Sequence, residues 1–252
     1  MYHFFVEPSQ IGEKTILIRG TDVNHIKNVL RLKIGEEISI SNGIDGRDYR
    51  CGIEAFMESE IVCRLRFIKE DGVELPAKIY LFQGIPKGDK MELIIQKMTE
   101  LGVYEIIPVA MKRCIVKLED KKAKAKIARW QGIAEAAAKQ SKRAIVPQIR
   151  EVMSWAEALA YAEQMEVKLV PYEMEESLVG ASGMEGTRRA IESIAVGQAV
   201  AVFIGPEGGF EEAEIQAAAA QGVTPITLGK RILRTETAGF TVMAWIMYFL
   251  EP

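Results

Sequence analysis

The sequence predicts an α/β protein in which a small β-barrel precedes a larger domain built on a parallel sheet. Three observations predict it. Up to Lys69 the chain is a series of short β-branched or alternating segments. From Lys78 onward, short apolar segments alternate with stretches of helical periodicity. Between the two, Asp71-Gly72-Val-Glu-Leu-Pro76 has the composition of a hinge. The expected domains are residues 1–72 and 73–252.

In the first domain, strands are expected at Phe4–Val6, Thr15–Arg19, Glu37–Ser41, Tyr49–Phe56 and Ile61–Ile68. Turn signals separate them at Ser41-Asn42-Gly43 and Asp45-Gly46. One helix, Asp22 to Leu30, carries Val23, Ile26, Val29 and Leu30 on its apolar face. In the second domain, the strands are Ile79–Phe82, Ile106–Val109, Val167–Val170, Ala199–Ile204 and Pro225–Leu228. Met91, Ile94, Ile95, Met98 and Leu101 mark a helix that Gly102 closes. Further helices run from about Lys121 to Lys142, from the capping box Ser154/Glu157, from Glu211 to Gln221, and from Thr237 to Leu250. Strands alternating with helices imply a parallel sheet covered on both sides.

Composition narrows the class. Cys51, Cys63 and Cys114 are odd in number and lack metal-like spacing, so they read as reduced thiols in a cytoplasmic protein. No basic segment followed by an apolar one opens the chain, and the apolar run Phe240–Leu250 is too short for a bilayer. The net charge of −3 is unevenly spread. Residues 1–75 carry 10 Lys/Arg against 13 Asp/Glu, residues 76–150 carry 16 against 7, and residues 151–252 carry 6 against 15. A middle third of net +9 in an acidic protein suits a polyanion, although the Lys121–Lys126 run alone is equally a solvated helix face.

Chemistry is excluded before it is assigned. Both histidines, His3 and His25, fall in the first domain, so a histidine triad or His-rich metal site in the second is impossible. HExxH, GxSxG and GxxxxGK[ST] are absent, which excludes zincin, serine-hydrolase and P-loop chemistry, and no metal is expected. The sharpest local feature is Ile204-Gly205-Pro206-Glu207-Gly208-Gly209-Phe210, a strand running into a glycine loop and then a helix. Such a loop sits where open α/β sheets bind ligands. Glu207, Glu211 and Glu212 disfavour a pyrophosphate, whereas ribose hydroxyls, an adenine edge or a cation suit them. A second loop, Leu228-Gly229-Lys230-Arg231-Ile232-Leu233-Arg234, also follows a strand and brings three basic residues to that edge. After it, Thr235 and Thr237 suit helix caps and Glu236 suits the helix's positive end. A third segment, Lys87-Gly88-Asp89-Lys90-Met91-Glu92, places two lysines at a helix start, with Lys97 and Glu100 further along.

Five stretches, in order, resemble the ribosomal RNA small subunit methyltransferase E family of the SPOUT superfamily. They are His25-Ile-Lys-Asn-Val-Leu-Arg-Leu-Lys-Ile-Gly35; Gln83 to Met91 with Gln96 to Gly102; Ala136 to Arg143 with Val146-Pro147; Ile204 to Phe210; and Leu228 to Ala238. The resemblance implies a PUA-like, RNA-binding barrel over residues 1–72 and a SPOUT domain with a C-terminal trefoil knot over 73–252. It implies S-adenosylmethionine as cofactor, a homodimer that completes each site, and N3-methyluridine at one position of 16S ribosomal RNA in the 30S subunit as product.

Carried over by motif, Ile204, Gly205, Pro206, Glu207 and Gly208 form one wall of the cofactor pocket. Leu228, Gly229, Ile232, Leu233 and Thr237 form another, and the strand end at Pro171 and Glu173 a third. His25, Arg31, Lys87, Lys97, Arg113 and Arg143 are the expected RNA contacts. Uridine N3 carries a proton whose loss leaves negative charge on O2 and O4, so a nearby cation should stabilise the developing anion. Arg234 is the expected catalytic residue; no general base is assigned, Glu207 and Glu236 being the available carboxylates. Two departures stand out: the family usually has an arginine where this chain has His3, and a Ser or Thr where it has Glu211. A SPOUT enzyme for transfer or large-subunit RNA, and a non-catalytic RNA-binding factor, are the alternatives.

Overall fold

A computed structural model describes residues 1–69, 72–115, 120–172 and 183–251. Asp71 of the expected hinge and Glu173 of the expected pocket lie outside the described residues. The chain forms two compact units: Met1–Glu74 with Ala138–Val146, and Leu75–Ala137 with Pro147–Pro252.

The first unit holds β1 (His3–Phe5), a 3-10 turn at Pro8–Gln10, β2 (Thr15–Arg19), α1 (Thr21–Asn24), β3 (Glu37–Ser41), β4 (Asp48–Phe56) and β5 (Glu60–Lys69). Its five-stranded sheet has the order β1-β3-β4-β5-β2 and is a half-barrel with end strands β1 and β2. Register shifts between Arg50/Cys51 and Ile53/Ala55 bend the long β4–β5 pair. Alternation places Ile16, Ile18, Ile38, Ile40, Ile53, Ile61 and Cys63 inside, all buried. The helix expected over Asp22–Leu30 is a single α turn running into a π turn, His25–Val29, in which Leu30 N–H reaches the His25 carbonyl at 2.9 Å. Apolar spacing locates a helical segment but does not distinguish its winding.

The segment Ala138–Val146 is fixed to this unit by a carboxylate. Glu74 accepts from Arg143 Nε at 3.1 Å and from the backbone N–H groups of Ala144 and Ile145 at 2.9 and 3.1 Å. Val146 N–H adds a bond to the Gly43 carbonyl.

The second unit holds β6 (Lys78–Gly84), α2 (Lys90–Glu100), β7 (Glu105–Ala110), α3 (Asp120–Ser141, whose last turn belongs to the first unit), β8 (Gln148–Ile149), β9 (Met153–Ser154), α4 (Trp155–Ala162), β10 (Val167–Pro171), α5 (Gly183–Glu192), β11 (Ala199–Ile204), α6 (Glu212–Ala220), β12 (Thr224–Ile226) and α7 (Thr235–Leu250). The sheet is parallel, in the order β12-β10-β11-β6-β7-β8, with β9 also beside β7. The central strands β6, β7 and β11 bury both faces. Ile79, Leu81, Ile106, Val200 and Val202 pack with α2, Trp130 and α7, while Phe82, Ile107, Ala201 and Phe203 pack with α4 and α6. The Ser154/Glu157 capping box forms as expected, with Glu157 N–H to Ser154 Oγ at 3.3 Å and Ser154 N–H to Glu157 Oε2 at 2.8 Å. β8, β9 and α5 are additions to the elements read from sequence. The strand order reverses between β6 and β11, and on the β11 side of that point a crevice opens at the carboxyl ends of β10, β11 and β12.

Candidate active site

That crevice is a cavity of about 800 Å3, within the range of ligand pockets. The glycine loop after β11, the loop after β12, the end of β10 at Pro171 and Tyr172, and Lys90 at the start of α2 line it. Glycine is required where the loops approach most closely. A Cβ on Gly84 would lie 2.7 Å from both Pro206 N and Cδ, and one on Gly205 would lie 3.1 Å from the Phe210 ring. Gly209 (φ +68°) turns the loop, its N–H reaching the Pro206 carbonyl at 2.9 Å.

The two loops are joined by a buried hydrogen-bond chain. Gln83 Nε2 donates to Thr235 Oγ1 at 2.9 Å, and Thr235 Oγ1 donates to the Gly205 carbonyl at 2.6 Å. Thr235 therefore does not cap α7 as expected. Arg234 is the N-cap residue, without a side-chain cap, and the Thr235 hydroxyl is committed to the glycine loop. Glu211 likewise opens α6 without a hydroxyl cap: its N–H donates to Glu214 Oε2 at 2.8 Å, while Glu214 Oε1 accepts from Lys112 N–H at 3.0 Å.

Charge is arranged around Glu207. Its Oε1 accepts from Lys90 Nζ at 3.0 Å and from the Lys87 backbone N–H at 3.2 Å. Burial opposes ionisation of Glu207, but the bonds from Lys90 and from backbone N–H groups outweigh it and hold the carboxyl below its ordinary range. Arg113 Nη1 donates to the Gly208 carbonyl at 3.0 Å. Arg231 and Arg234 also line the cavity, and among the described residues no carboxylate pairs with either guanidinium. Lys90, Arg113, Arg231 and Arg234 thus outnumber Glu207 and Glu212 on the wall. Apolar surface comes from Ile204, Ile226, Leu228 and Leu233.

A family model described as an RNA methyltransferase domain matches residues 73–247, and one described as an RNA methyltransferase PUA domain matches residues 18–66. Ribosomal RNA small subunit methyltransferase E of Bacillus subtilis (strain 168) is 39% identical over 254 residues, covering 100% of this chain and 98% of its own. The chain belongs to the ribosomal RNA small subunit methyltransferase E family. Solved structures agree. A crystal structure of a hypothetical protein superposes with a TM-score of 0.88 at 37% identity, covering 99% of this chain and 98% of that one. The Neisseria gonorrhoeae methyltransferase E, bound to S-adenosyl methionine, superposes with a TM-score of 0.78 at 32% identity, covering 97% and 95%.

In this family member, most residues expected at the cofactor site come together. Pro171, Ile204, Gly205, Pro206, Glu207, Leu228, Gly229, Ile232, Leu233 and Arg234 all line the one cavity. Gly208 and Thr237 do not. Gly208 backs onto Arg113, and Gly209 takes its place on the wall. Thr237 is two residues beyond Thr235, roughly 200° around the helix, and is exposed. Lys90, Phe210, Thr227 and Thr235 were not assigned to the pocket, Lys90 being read as one of two lysines at a helix start and Thr235 as a helix cap; Tyr172 belongs to the strand end expected as the third side.

The expected RNA contacts differ in exposure and partners. His25, Arg31, Lys87 and Arg113 are exposed, Arg31 in a left-handed conformation (φ +55°). Lys97 pairs with Glu100 on its own helix at 2.9 Å. Arg143 is a correction: its side chain is 3% exposed and bound by Glu74, so its charge is spent inside the first unit and a polyanion cannot reach it.

Proposed function

We propose that the chain transfers a methyl group from S-adenosylmethionine to N3 of one uridine in 16S ribosomal RNA, acting on the 30S subunit in the cytoplasm. The observation that carries this reading is the convergence of both glycine-containing loops on one cavity at the carboxyl edge of a parallel sheet. The donor set fits the cofactor. Ile204, Ile226, Leu228 and Leu233 offer apolar surface to an adenine, and Glu207 offers an ionised carboxylate to a ribose or a cationic centre. Gly84 and Gly205 let the glycine loop pack closely against β6 and the Phe210 ring, and Gly209 lines the cavity at a positive φ. When bound, S-adenosylmethionine supplies a methyl group on a cationic sulfur.

The protein's part is positioning and charge. Arg234 lines the cavity and has no carboxylate partner among the described residues, and its guanidinium would stabilise negative charge on the uridine oxygens as N3 loses its proton. The RNA is held by the N-terminal unit through His25 and Arg31, with Lys87, Lys97 and Arg113 nearer the cavity in sequence. A homodimer is supported by the exposure of Ile232 (87%) in the second loop and of Tyr248 (85%) on α7, apolar surface that a second subunit would cover. The two loops are read as those of a trefoil knot.

The test is incubation with labelled S-adenosylmethionine and 30S subunits from cells lacking their own uridine methyltransferase, followed by mapping of the label. Label on N3 of one 16S uridine is expected, with Arg234→Ala abolishing it and leaving cofactor affinity largely intact. Label on naked 16S, 23S or transfer RNA instead would discard the substrate assignment and keep the chemistry. Absence of label together with absence of cofactor binding would discard both.

A further inference from the structure

The segment Lys87–Glu92 offers two lysines at a helix start, an arrangement that by itself is only a solvated pair. In the fold it does something different. The Lys87 backbone N–H and the Lys90 ammonium both point to Glu207, the latter at 3.0 Å. Lys90 Nζ also stands 3.7 Å from Oε2 of Glu236, in the first turn of α7. That oxygen is buried and makes no hydrogen bond among the described residues, so the ammonium is its nearest compensation. Lys90 is 25% exposed and lines the cavity. It therefore stands between the glycine loop after β11 and the first turn of α7, reaching both from a third segment, the start of α2.

We infer that Lys90 is a positioning residue: its ammonium bridges Glu207 and Glu236 and so sets the separation of the two loops that form the cofactor cavity. The inference rests on the proposed use of that cavity for S-adenosylmethionine. Without the ammonium, two carboxylates face each other across partly buried space, where repulsion is stronger than in bulk water. The loops then separate and the cavity loses its fit. An arginine at position 90 keeps the cation and two donors; a methionine keeps the stem and removes both. Glu236→Gln in the methionine background removes the repulsion at its source.

The experiment uses the full chain as wild type, Lys90→Met, Lys90→Arg, Glu236→Gln and Lys90→Met/Glu236→Gln. It measures S-adenosylmethionine affinity by calorimetry, steady-state methyl transfer to 30S subunits, and thermal unfolding without cofactor. Lys90→Met should weaken cofactor affinity about tenfold, as expected for a coupled, partly buried pair. KM for the cofactor should rise with it, while KM for the RNA and its salt dependence stay put. Lys90→Arg should fall within about threefold of wild type, and the double variant should bind better than Lys90→Met alone. An unchanged cofactor affinity with a raised RNA KM and a salt slope smaller by about one would overturn the inference and make Lys90 a phosphate contact. Equal losses in the Met and Arg variants that track a fall in melting temperature would also overturn it. Failure of the wild type to bind the cofactor would sink the proposed function itself. The bridge is then judged on unfolding alone: non-additive effects of Lys90→Met and Glu236→Gln sustain it, and additive ones remove it.

Discussion

Replacing Thr235 by valine tests whether the buried hydroxyl holds the two cavity loops together. Valine matches threonine in shape, so the change removes an oxygen and little else. Two bonds are lost, Gln83 Nε2 to Thr235 Oγ1 at 2.9 Å and Thr235 Oγ1 to the Gly205 carbonyl at 2.6 Å. Gln83 is fully buried and Thr235 is 6% exposed, so water does not replace the lost partners without a rearrangement. Gln83 Nε2 keeps its bond to the Gly84 carbonyl at 3.0 Å, which limits the cost on that side. A net contribution near 1 kcal/mol per bond, plus a partial penalty for the half-buried Gly205 carbonyl left without its donor, gives a loss of about 2–3 kcal/mol. For a chain of this size that is a fall in melting temperature of roughly 5–10 °C. Circular-dichroism melts and urea titrations measure it, with Thr235→Ser as the comparison that keeps the hydroxyl and loses a methyl. Cofactor affinity should fall in the valine variant as well, because the Gly205 carbonyl is no longer held. A valine variant within about 0.5 kcal/mol of wild type, or a serine variant as damaged as the valine one, would refute the reasoning.

Three further outcomes follow from the packing. Gly84→Ala places a Cβ 2.7 Å from Pro206 and should cost about 1–3 kcal/mol while weakening cofactor binding; Gly132→Ala, mid-helix with nothing within 4 Å, should gain about 0.5–1 kcal/mol, and melts of the pair separate overpacking from helix propensity. Glu74→Gln weakens a carboxylate that holds Arg143 and two backbone N–H groups, for a loss of about 2–3 kcal/mol by urea titration, and a loss under 1 kcal/mol would mean that this contact does not anchor residues 138–146. Burial pushes the Cys51 and Cys63 thiols up from 9.0 to about 12. A raised thiol pKa stabilises the fold below the unfolded value, and that stability is lost as pH rises from about 9 toward 12, by about 1.4 kcal/mol per thiol per pH unit. Cys63→Val should therefore flatten the fall in stability between pH 8 and about 10 seen in urea titrations.

What could be read from sequence, and what could not, follows from how far apart the interacting residues lie. The strand alternation of the first unit and the strand–helix rhythm of the second are local patterns, and the elements formed where those patterns stood. The glycine loops were legible for the same reason, since a strand end, a tight turn and a helix start occupy a dozen consecutive residues. The helix α5 was missed, its buried residues Thr187 and Ile191 being too few to mark an apolar stripe. Charge misled where its partner was distant. Arg143 counted toward a basic surface, yet its carboxylate stands 69 residues earlier and takes it out of solvent. Glu207 was read as one of several acids making an acidic loop unsuited to a pyrophosphate. The fold brings Lys90 to it from 117 residues away, with Arg113, Arg231 and Arg234 on the same wall, and the cavity's balance becomes cationic. A carboxylate fixed by a lysine, on a wall that also carries three arginines, can meet a cationic centre at one point and a polyanion at another. That division of charge, rather than the acidity of any single loop, is what a site joining a sulfonium cofactor to RNA requires.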